Sequence, residues 1–282
     1  MKLSTFTKFA ARNSHPIIEA FVSGAKKLGI QVVDHDTTAD AACIWSVLWQ
    51  GRMRQNKSIY ELYKNTGRKV FVIDVGSLSR NMTWKLALNN INNFGDYGFV
   101  DRLDNDRPKK LGLHLQDNKK NSGAICVCLQ HTESHQLSHL PNYWAWINDT
   151  VKHLQKYTER SIVLRPHPRA KFLPAQLQFR YNVSLPRPIV NTYDSFDFDP
   201  QQFYAVVNCN SSPGILSAMY GVRPIVDNSS LAQPVSIEPC QIEDNYIQDR
   251  SSWLIQLSHT EYTKQELEQA LWARRFDHHL IA

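Results

Sequence analysis

No apolar run in these 282 residues approaches the length needed to cross a bilayer. The first residues, Met1-Lys2-Leu3-Ser4-Thr5-Phe6, carry no long apolar core of the signal-peptide kind. A membrane-embedded chain is therefore not expected, and the sequence reads as cytoplasmic. Cysteine is sparse and badly spaced for structural work. Cys43, Cys126, Cys128, Cys209 and Cys240 make an odd number without a C-x-x-C pair, so neither a disulfide framework nor a zinc site is indicated. Three of them sit in strand-like runs, where a small buried thiol is the expected role. There is no repeat of solenoid period and no low-complexity tract. Charge of one sign is also not in large excess: 32 Lys and Arg against 26 Asp and Glu leave a net +6. That favours anionic partners but does not by itself select a nucleic acid.

What is present is an ordinary soluble composition, 42% apolar and 21% charged, in a chain long enough for one large or two modest domains. Short apolar runs alternate with amphipathic segments, the pattern of parallel strands covered by helices. Leu3–Phe9, Ile30–Val33, Ala42–Trp45 and Lys69–Asp74 read as strands. Asn13-Ser14-His15-Pro16 opens a helix to about Leu28, and a second helix runs from Lys57 to Asn65 and stops at Gly67. From Asp101 to Gly123 the chain turns polar and rich in Lys, Asn, Pro and Gly, as a connector does. Ala124–Leu129, Ser161–Leu164, Ala205–Asn208 and Pro224–Val226 supply a second set of strands. A helix whose buried face carries Trp144, Ile147, Val151 and Leu154 lies among them. The segment from Thr263, with Leu267, Leu271 and Phe276, reads as a helix packing back on the first unit. The expected fold is α/β: two Rossmann-like doubly wound domains facing a cleft. Residues 1–116 form the N-terminal α/β domain, 117–260 the C-terminal α/β domain, and 261–282 the returning helix. Ligands belong at the C-terminal edges of the strands.

Two segments carry most of the chemistry. In Ser161-Ile-Val-Leu-Arg-Pro-His-Pro-Arg169, a strand ends in Arg165, His167 and Arg169 at alternate positions. Pro166 and Pro168 exclude a helix and hold the backbone extended, so the three side chains project as a basic comb. In Ala205-Val-Val-Asn-Cys-Asn-Ser-Ser-Pro-Gly214, a strand leads into Asn210, Ser211, Ser212 and Gly214 ahead of the apolar run Ile215-Leu216-Ala218-Met219. Serine at the cap and Pro213 just inside mark a helix N-terminus, whose amides suit a phosphate. A basic comb beside such a cradle points to a diphosphate. The competing structural roles are basic residues covering carboxylates and an ordinary capped helix.

These segments, with Gly221-Val-Arg-Pro-Ile-Val-Asp227, resemble the donor-binding domain of GT-B-type glycosyltransferases, in particular those of capsule-polysaccharide synthesis and of phages. The resemblance covers roughly the second half of the chain. It implies a nucleoside-diphosphate-sugar co-substrate, UDP-sugar favoured, no resident cofactor, and an acceptor held by the N-terminal domain. The phage likeness points further, to a hydroxymethylated pyrimidine in double-stranded DNA as acceptor and to host cytoplasm as location. A polysaccharide-building transferase and a non-catalytic polyanion-binding protein remain the alternatives. The chain is read as a monomer.

Transfer with inversion needs a base for the acceptor hydroxyl. Asp74, at the end of a buried strand before Gly76, is the first candidate, with turn capping as its structural alternative. Asp96, between Gly95 and Gly98, and His15, at a helix start, are the others. Trp45, Trp49, Arg52 and Arg54 interleave aromatic faces with cations, a pattern able to stack on sugars or bases and track phosphates. The structural alternative is a buried Trp45 with a solvated basic loop. Asp104-Asn-Asp106 and Asp197-Phe-Asp199 match a metal-binding Asp-x-Asp only superficially, and His131, His135 and His139 lie in a polar, Pro-bounded stretch. No metal is assigned.

Overall fold

The computed structural model describes residues 1–118, 123–169, 175–192, 195–245 and 248–280. The elements follow as β1 (Lys2–Thr5), α1 (His15–Lys27), β2 (Gln31–Asp34), β3 (Ala41–Trp45), α2 (Asn56–Asn65), β4 (Lys69–Val75), β5 (Thr83–Leu88) and α3 (Arg107–Lys110). Next come β6 (Ile125–Cys128), α4 (Tyr143–Leu154), β7 (Ile162–Arg165), β8 (Asn182–Val183), β9 (Ala205–Asn208), α5 (Ser212–Met219) and β10 (Arg223–Val226). The chain closes with α6 (Ser251–Ser258), β11 (Glu261–Thr263), α7 (Lys264–Glu268) and α8 (Ala273–Leu280). It divides into two compact units, Met1–Leu111 with Ile255–Ala282, and Gly112–Leu254. The polar connector read over 101–123 includes residues 119–122, which lie outside the described residues.

The first unit is built on one mixed sheet in the order β11-β5-β4-β3-β1-β2. Strands β1 to β4 are parallel, while β5 runs antiparallel to both β4 and β11. Val70, Val72 and Asp74 share one face of β4, and Phe71, Ile73 and Val75 the other, as strand alternation requires. Phe71 and Ile73 join Phe21, Trp272 and Phe276 in the larger core. Helix α1 buries Ile17, Ile18, Phe21 and Ala25 on a single stripe. Three expectations change here. The first strand stops at Thr5, and a 3-10 turn over Thr7–Phe9 follows. The antiparallel β5 makes the sheet mixed rather than doubly wound throughout. The segment from Thr263 is two helices, not one, broken where Ala270 takes a positive φ of 59°. Trp272 then reaches Phe21 with ring centroids 4.7 Å apart.

The second unit holds an all-parallel sheet in the order β10-β9-β6-β7-β8. Ile125, Val127, Leu164, Ala205 and Val207 are almost wholly buried, as expected of strands covered on both faces. Helix α4 is capped by Asn142, whose Oδ1 accepts from the N–H groups of Trp144 and Ala145 at 3.0 Å each. Its buried stripe is Tyr143, Ile147, Val151 and Leu154, so Tyr143 replaces Trp144 on the inner face. Among the described residues, no helix is long and apolar enough to cross a membrane.

Candidate functional site

Chain order decides where a ligand meets the second sheet. Numbered within the unit, its strands lie in the order 5-4-1-2-3, so direction reverses between β6 and β9. Connections from these two strands leave toward opposite sides and open a crevice beyond their C-terminal ends. Gln130 and His131 leave β6 there, Asn208, Cys209 and Asn210 leave β9, and His167 and Arg169 follow β7 next door. His131 and His167 meet edge to face, with ring centroids 5.3 Å apart, and the Arg169 N–H donates to His167 Nδ1 at 3.2 Å. Partial burial pushes the His131 imidazole down; the Glu133 carboxylate opposes this and the Arg169 guanidinium adds to it. Helix α5 begins at the same edge. Its cap residue Ser211 makes no side-chain bond to the helix amides; its hydroxyl instead accepts from Asn208 Nδ2 at 3.1 Å. The first turn of α5 is thus not capped by that side chain and presents the positive end of its dipole beyond β9.

The residues expected to hold phosphate divide into two groups. His167, Arg169, Ser211 and Ser212 lie at the strand-end edge as expected. Arg165 does not join the comb: its guanidinium pairs with Asp197, whose Oδ1 lies 3.0 Å away, and its charge lies 5.4 Å from the Phe198 ring centroid. Asp197 arrives from a distant segment, so this partner was invisible to local spacing. Asn210 is 4% exposed, and its side chain serves the scaffold. It accepts from Gln130 and donates to the Gln136 carbonyl and the Ser229 hydroxyl, each at 2.7 Å. Gly214 is likewise a packing residue. A Cβ there would lie 2.6 Å from Asn208 Oδ1 and 2.7 Å from Val226, so only glycine lets α5 approach the sheet this closely. Gln130 was missed altogether, and His131 was weighed only as a metal ligand. Both follow directly on a continuous apolar strand, which is the signal that could have found them.

In the first unit, the parallel strands order as 2-1-3-4, which places the reversal between β1 and β3. Ser46 follows β3 there in a left-handed conformation, φ 62°, and donates from Oγ to Asp74 Oδ2 at 2.9 Å. Asp74 Oδ1 accepts from the Val75 N–H at 2.7 Å. Burial pushes the Asp74 carboxyl up, and Val75, Lys85 and Ser46 offset part of the rise. A carboxyl raised in this way at a strand C-terminus is a better proton acceptor than an ordinary carboxylate whenever it is ionised. His15 is exposed at the first position of α1, the helix that follows β1, and so belongs to the same edge.

Asp96 belongs elsewhere. It bridges to Leu88, and Leu88 pairs with Phe71 near the start of β4, so Asp96 sits at the opposite edge from Asp74. There Asp96 Oδ2 lies 2.6 Å from His279 Nε2, and Oδ1 accepts from the Gly98 N–H. The antiparallel β5 carries the chain back across the sheet, which is why glycine flanks alone misplaced it. The acceptor-side aromatic pattern is also divided. Trp45 is 3% exposed and belongs to the core, so its ring is closed to any acceptor. Trp49 is partly exposed and packs on Tyr60, while Arg52 and Arg54 are exposed on a 3-10 turn over Gly51–Gln55. A buried lysine, Lys85, was not foreseen. The lysine inside the apolar run Trp84-Lys85-Leu86-Ala87-Leu88 was its signal.

The Asp-x-Asp pairs have local structural roles. Asp104 pairs with Lys110, and Asp199 accepts from the Gln201 N–H. Two other sets, His139/Cys209/Asp227 and Asp96/His278/His279, place ligand-type atoms within 4.8 Å of one another. In the first, Asp227 Oδ1 lies 2.7 Å from His139 Nε2 and accepts from the Ser229 N–H and hydroxyl. Burial pushes the Cys209 thiol pKa up, and the bonds among His139, Asp227 and Ser229 tie the strand-end loops together.

No protein-family model matches the chain, and no curated protein matches it by sequence. Solved structures do. The KpsC β-Kdo 2,7 transferase of Thermosulfurimonas dismutans aligns with a TM-score of 0.51 over 96% of this chain and 98% of its own, at 12% identity. The KpsC β-Kdo 2,4 transferase of the same organism aligns at 0.51 over 92% and 90%, at 13% identity. The chain has the fold of these transferases. The likeness is one of fold: a mixed α/β chain with two parallel-rich sheets.

Proposed function

We propose that the chain is a glycosyltransferase that moves a sugar from a nucleoside-diphosphate sugar to an acceptor hydroxyl. The observation that carries the reading is the strand-order reversal of the second sheet, where the α5 N-terminus, His131, His167 and Arg169 share one edge. An edge of that make-up binds an anion through backbone amides and donors rather than through a metal-linked carboxylate pair. As the bond from the sugar carbon to the phosphate oxygen breaks, negative charge collects on the nucleotide. In this reading the helix dipole and Arg169 stabilise that charge. The new bond forms from the acceptor oxygen, whose proton goes to Asp74. The sugar is open between neutral hexoses and the Kdo named for both transferases of like fold.

The acceptor in this reading is hydroxymethylated DNA or an oligosaccharide. Burial of Trp45 weakens the stacking argument for DNA, and Arg52 and Arg54 keep the polyanion option. The test begins with thermal melting in a panel of nucleoside mono- and diphosphates and their sugars. A ligand at about 100 times its Kd stabilises by about 2.7 kcal/mol. Sugar transfer is then measured to hydroxymethylated DNA, unmodified DNA and oligosaccharide at two salt concentrations. Absence of any nucleotide-dependent shift would remove the donor-site reading. Salt-sensitive DNA binding without transfer would favour a polyanion-binding protein.

A further inference from the structure

The first sheet carries a row of buried charge that packing does not explain. Asp74 on β4 pairs in register with Lys85 on β5, and Lys85 pairs with Glu261 on β11. Residues opposite one another across antiparallel strands hold their Cβ atoms about 4.5–5.5 Å apart on one face. Lys85 therefore stands in register between two acidic residues. Lys85 is 6% exposed and Glu261 wholly buried. Such groups are retained at a cost unless each charge is matched.

The two carboxylates are matched unequally. Glu261 Oε1 accepts from the Ser77 N–H at 2.6 Å, and Oε2 from the Thr83 hydroxyl at 2.6 Å and the Leu78 N–H at 3.2 Å. Its charge is satisfied by the turn that joins β4 to β5. Among the described residues, Asp74 accepts from the Ser46 hydroxyl and the Val75 N–H. Lys85 has no carboxylate within ion-pair distance among the described residues; burial pushes its ammonium pKa down, and Glu261 and then Asp74 oppose this through space. Arg80 acts on Asp74 and Lys85 from the same turn. The Tyr97 hydroxyl, buried without a hydrogen-bond partner, lies in the field of Glu261 and Asp74.

We propose that Lys85 is a positioning residue for Asp74: shared between Asp74 and Glu261, it keeps the Asp74 carboxylate charged and so able to take a proton. This rests on the reading of Asp74 as the base. Glu261, already held by three donors, anchors the lysine stem in the row without needing its full charge. Burial alone drives Asp74 toward its neutral form, in which it cannot act as a base. A neighbouring cation opposes that.

The experiment is a 13C titration of side-chain carboxyls in the full chain, with the Asp74 signal assigned by its loss in Asp74→Asn. Three further variants are titrated: Lys85→Met, Lys85→Arg and Glu261→Gln. The Asp74 midpoint should rise by about one pH unit or more in Lys85→Met. It should stay near wild type in Lys85→Arg, and fall in Glu261→Gln, where the cation is no longer shared. Should Lys85→Met not fold, Lys85→Gln is titrated in its place, because loss of the Glu261 charge lowers the Asp74 midpoint whatever Lys85 does. An Asp74 midpoint unchanged in Lys85→Met, or in Lys85→Gln where that takes its place, would overturn the proposal. No substrate is needed, so the outcome is separate from that of the base itself: an Asp74→Asn chain that still transfers sugar would remove the base reading and leave the titration standing.

Discussion

Gln130 and Asn210 hold each other across the point where strand order reverses: Gln130 Nε2 donates to Asn210 Oδ1 at 2.7 Å, and the Asn210 N–H returns to Gln130 Oε1 at 3.3 Å. The two residues stand just beyond β6 and β9, the strands that open the crevice. Their pairing fixes both loop origins, so His131 on one side and the α5 N-terminus on the other are held before any ligand arrives.

Asn210→Ala removes three buried side-chain hydrogen bonds and leaves partners unsatisfied. A loss of about 2–4 kcal/mol is expected in urea unfolding. A variant as stable as wild type would show that Asn210 is not part of the scaffold.

The basic comb divides into roles that two measurements separate. Arg169→Ala and His167→Ala should weaken nucleotide binding about tenfold or more. Arg165→Ala should instead free Asp197 and lower stability, with a smaller effect on affinity. Calorimetric titration with UDP and thermal melting read the two effects independently. Equal loss of affinity in all three would return Arg165 to the phosphate site.

Ser212→Asp tests the helix terminus. An added carboxylate is tolerated at this end of a helix but opposes an incoming phosphate. Near-normal melting with sharply reduced nucleotide affinity is the expected pair of results. Unaltered affinity would place the phosphate elsewhere.

Asp74 makes a prediction with a definite sign in pH. Burial raises its folded-state pKa above the unfolded value, so its contribution to stability is full below the unfolded pKa and is lost as pH rises through the folded one. Asp74→Asn should therefore be at least as stable as wild type near pH 7, and the difference should close near pH 4, about the unfolded value. Sugar transfer, by contrast, should fall about 10²–10⁴-fold. Stability measured across this range, beside the transfer rate, checks both.

Gly214→Ala places a methyl against Asn208 and Val226 and should cost about 1–3 kcal/mol through overpacking. A neutral outcome would mean that α5 can shift outward, and with it the amides at its start.

The strands and helices that hold the site were legible because their signals are local. An apolar run breaking at Arg165-Pro-His-Pro-Arg169, or a Ser-Ser-Pro-Gly ahead of an apolar stripe, constrains the backbone over a few residues, and β7, β9 and α5 follow. Strand Thr83–Leu88 escaped because a lysine and a tryptophan interrupt its pattern and its direction is set by β4 and β11. Residues 263–280 read as one helix because the apolar spacing continues through Ala270, where the backbone in fact turns.

Side-chain roles were less legible, for a different reason. The sequence by itself determined which backbone segments reach the strand ends and what chemistry they carry there, since periodicity, proline and glycine act on neighbours in the chain. Only the tertiary structure decided what each side chain meets. Asp197 takes Arg165 from 32 residues away. Ser229 and Gln130 take Asn210, the antiparallel β5 puts Asp96 at the far edge from Asp74, and sheet register sets Lys85 between Asp74 and Glu261. Charges and hydrogen bonds act through space over a few ångströms, so partners that fix a residue's role are chosen by topology rather than by spacing in the chain.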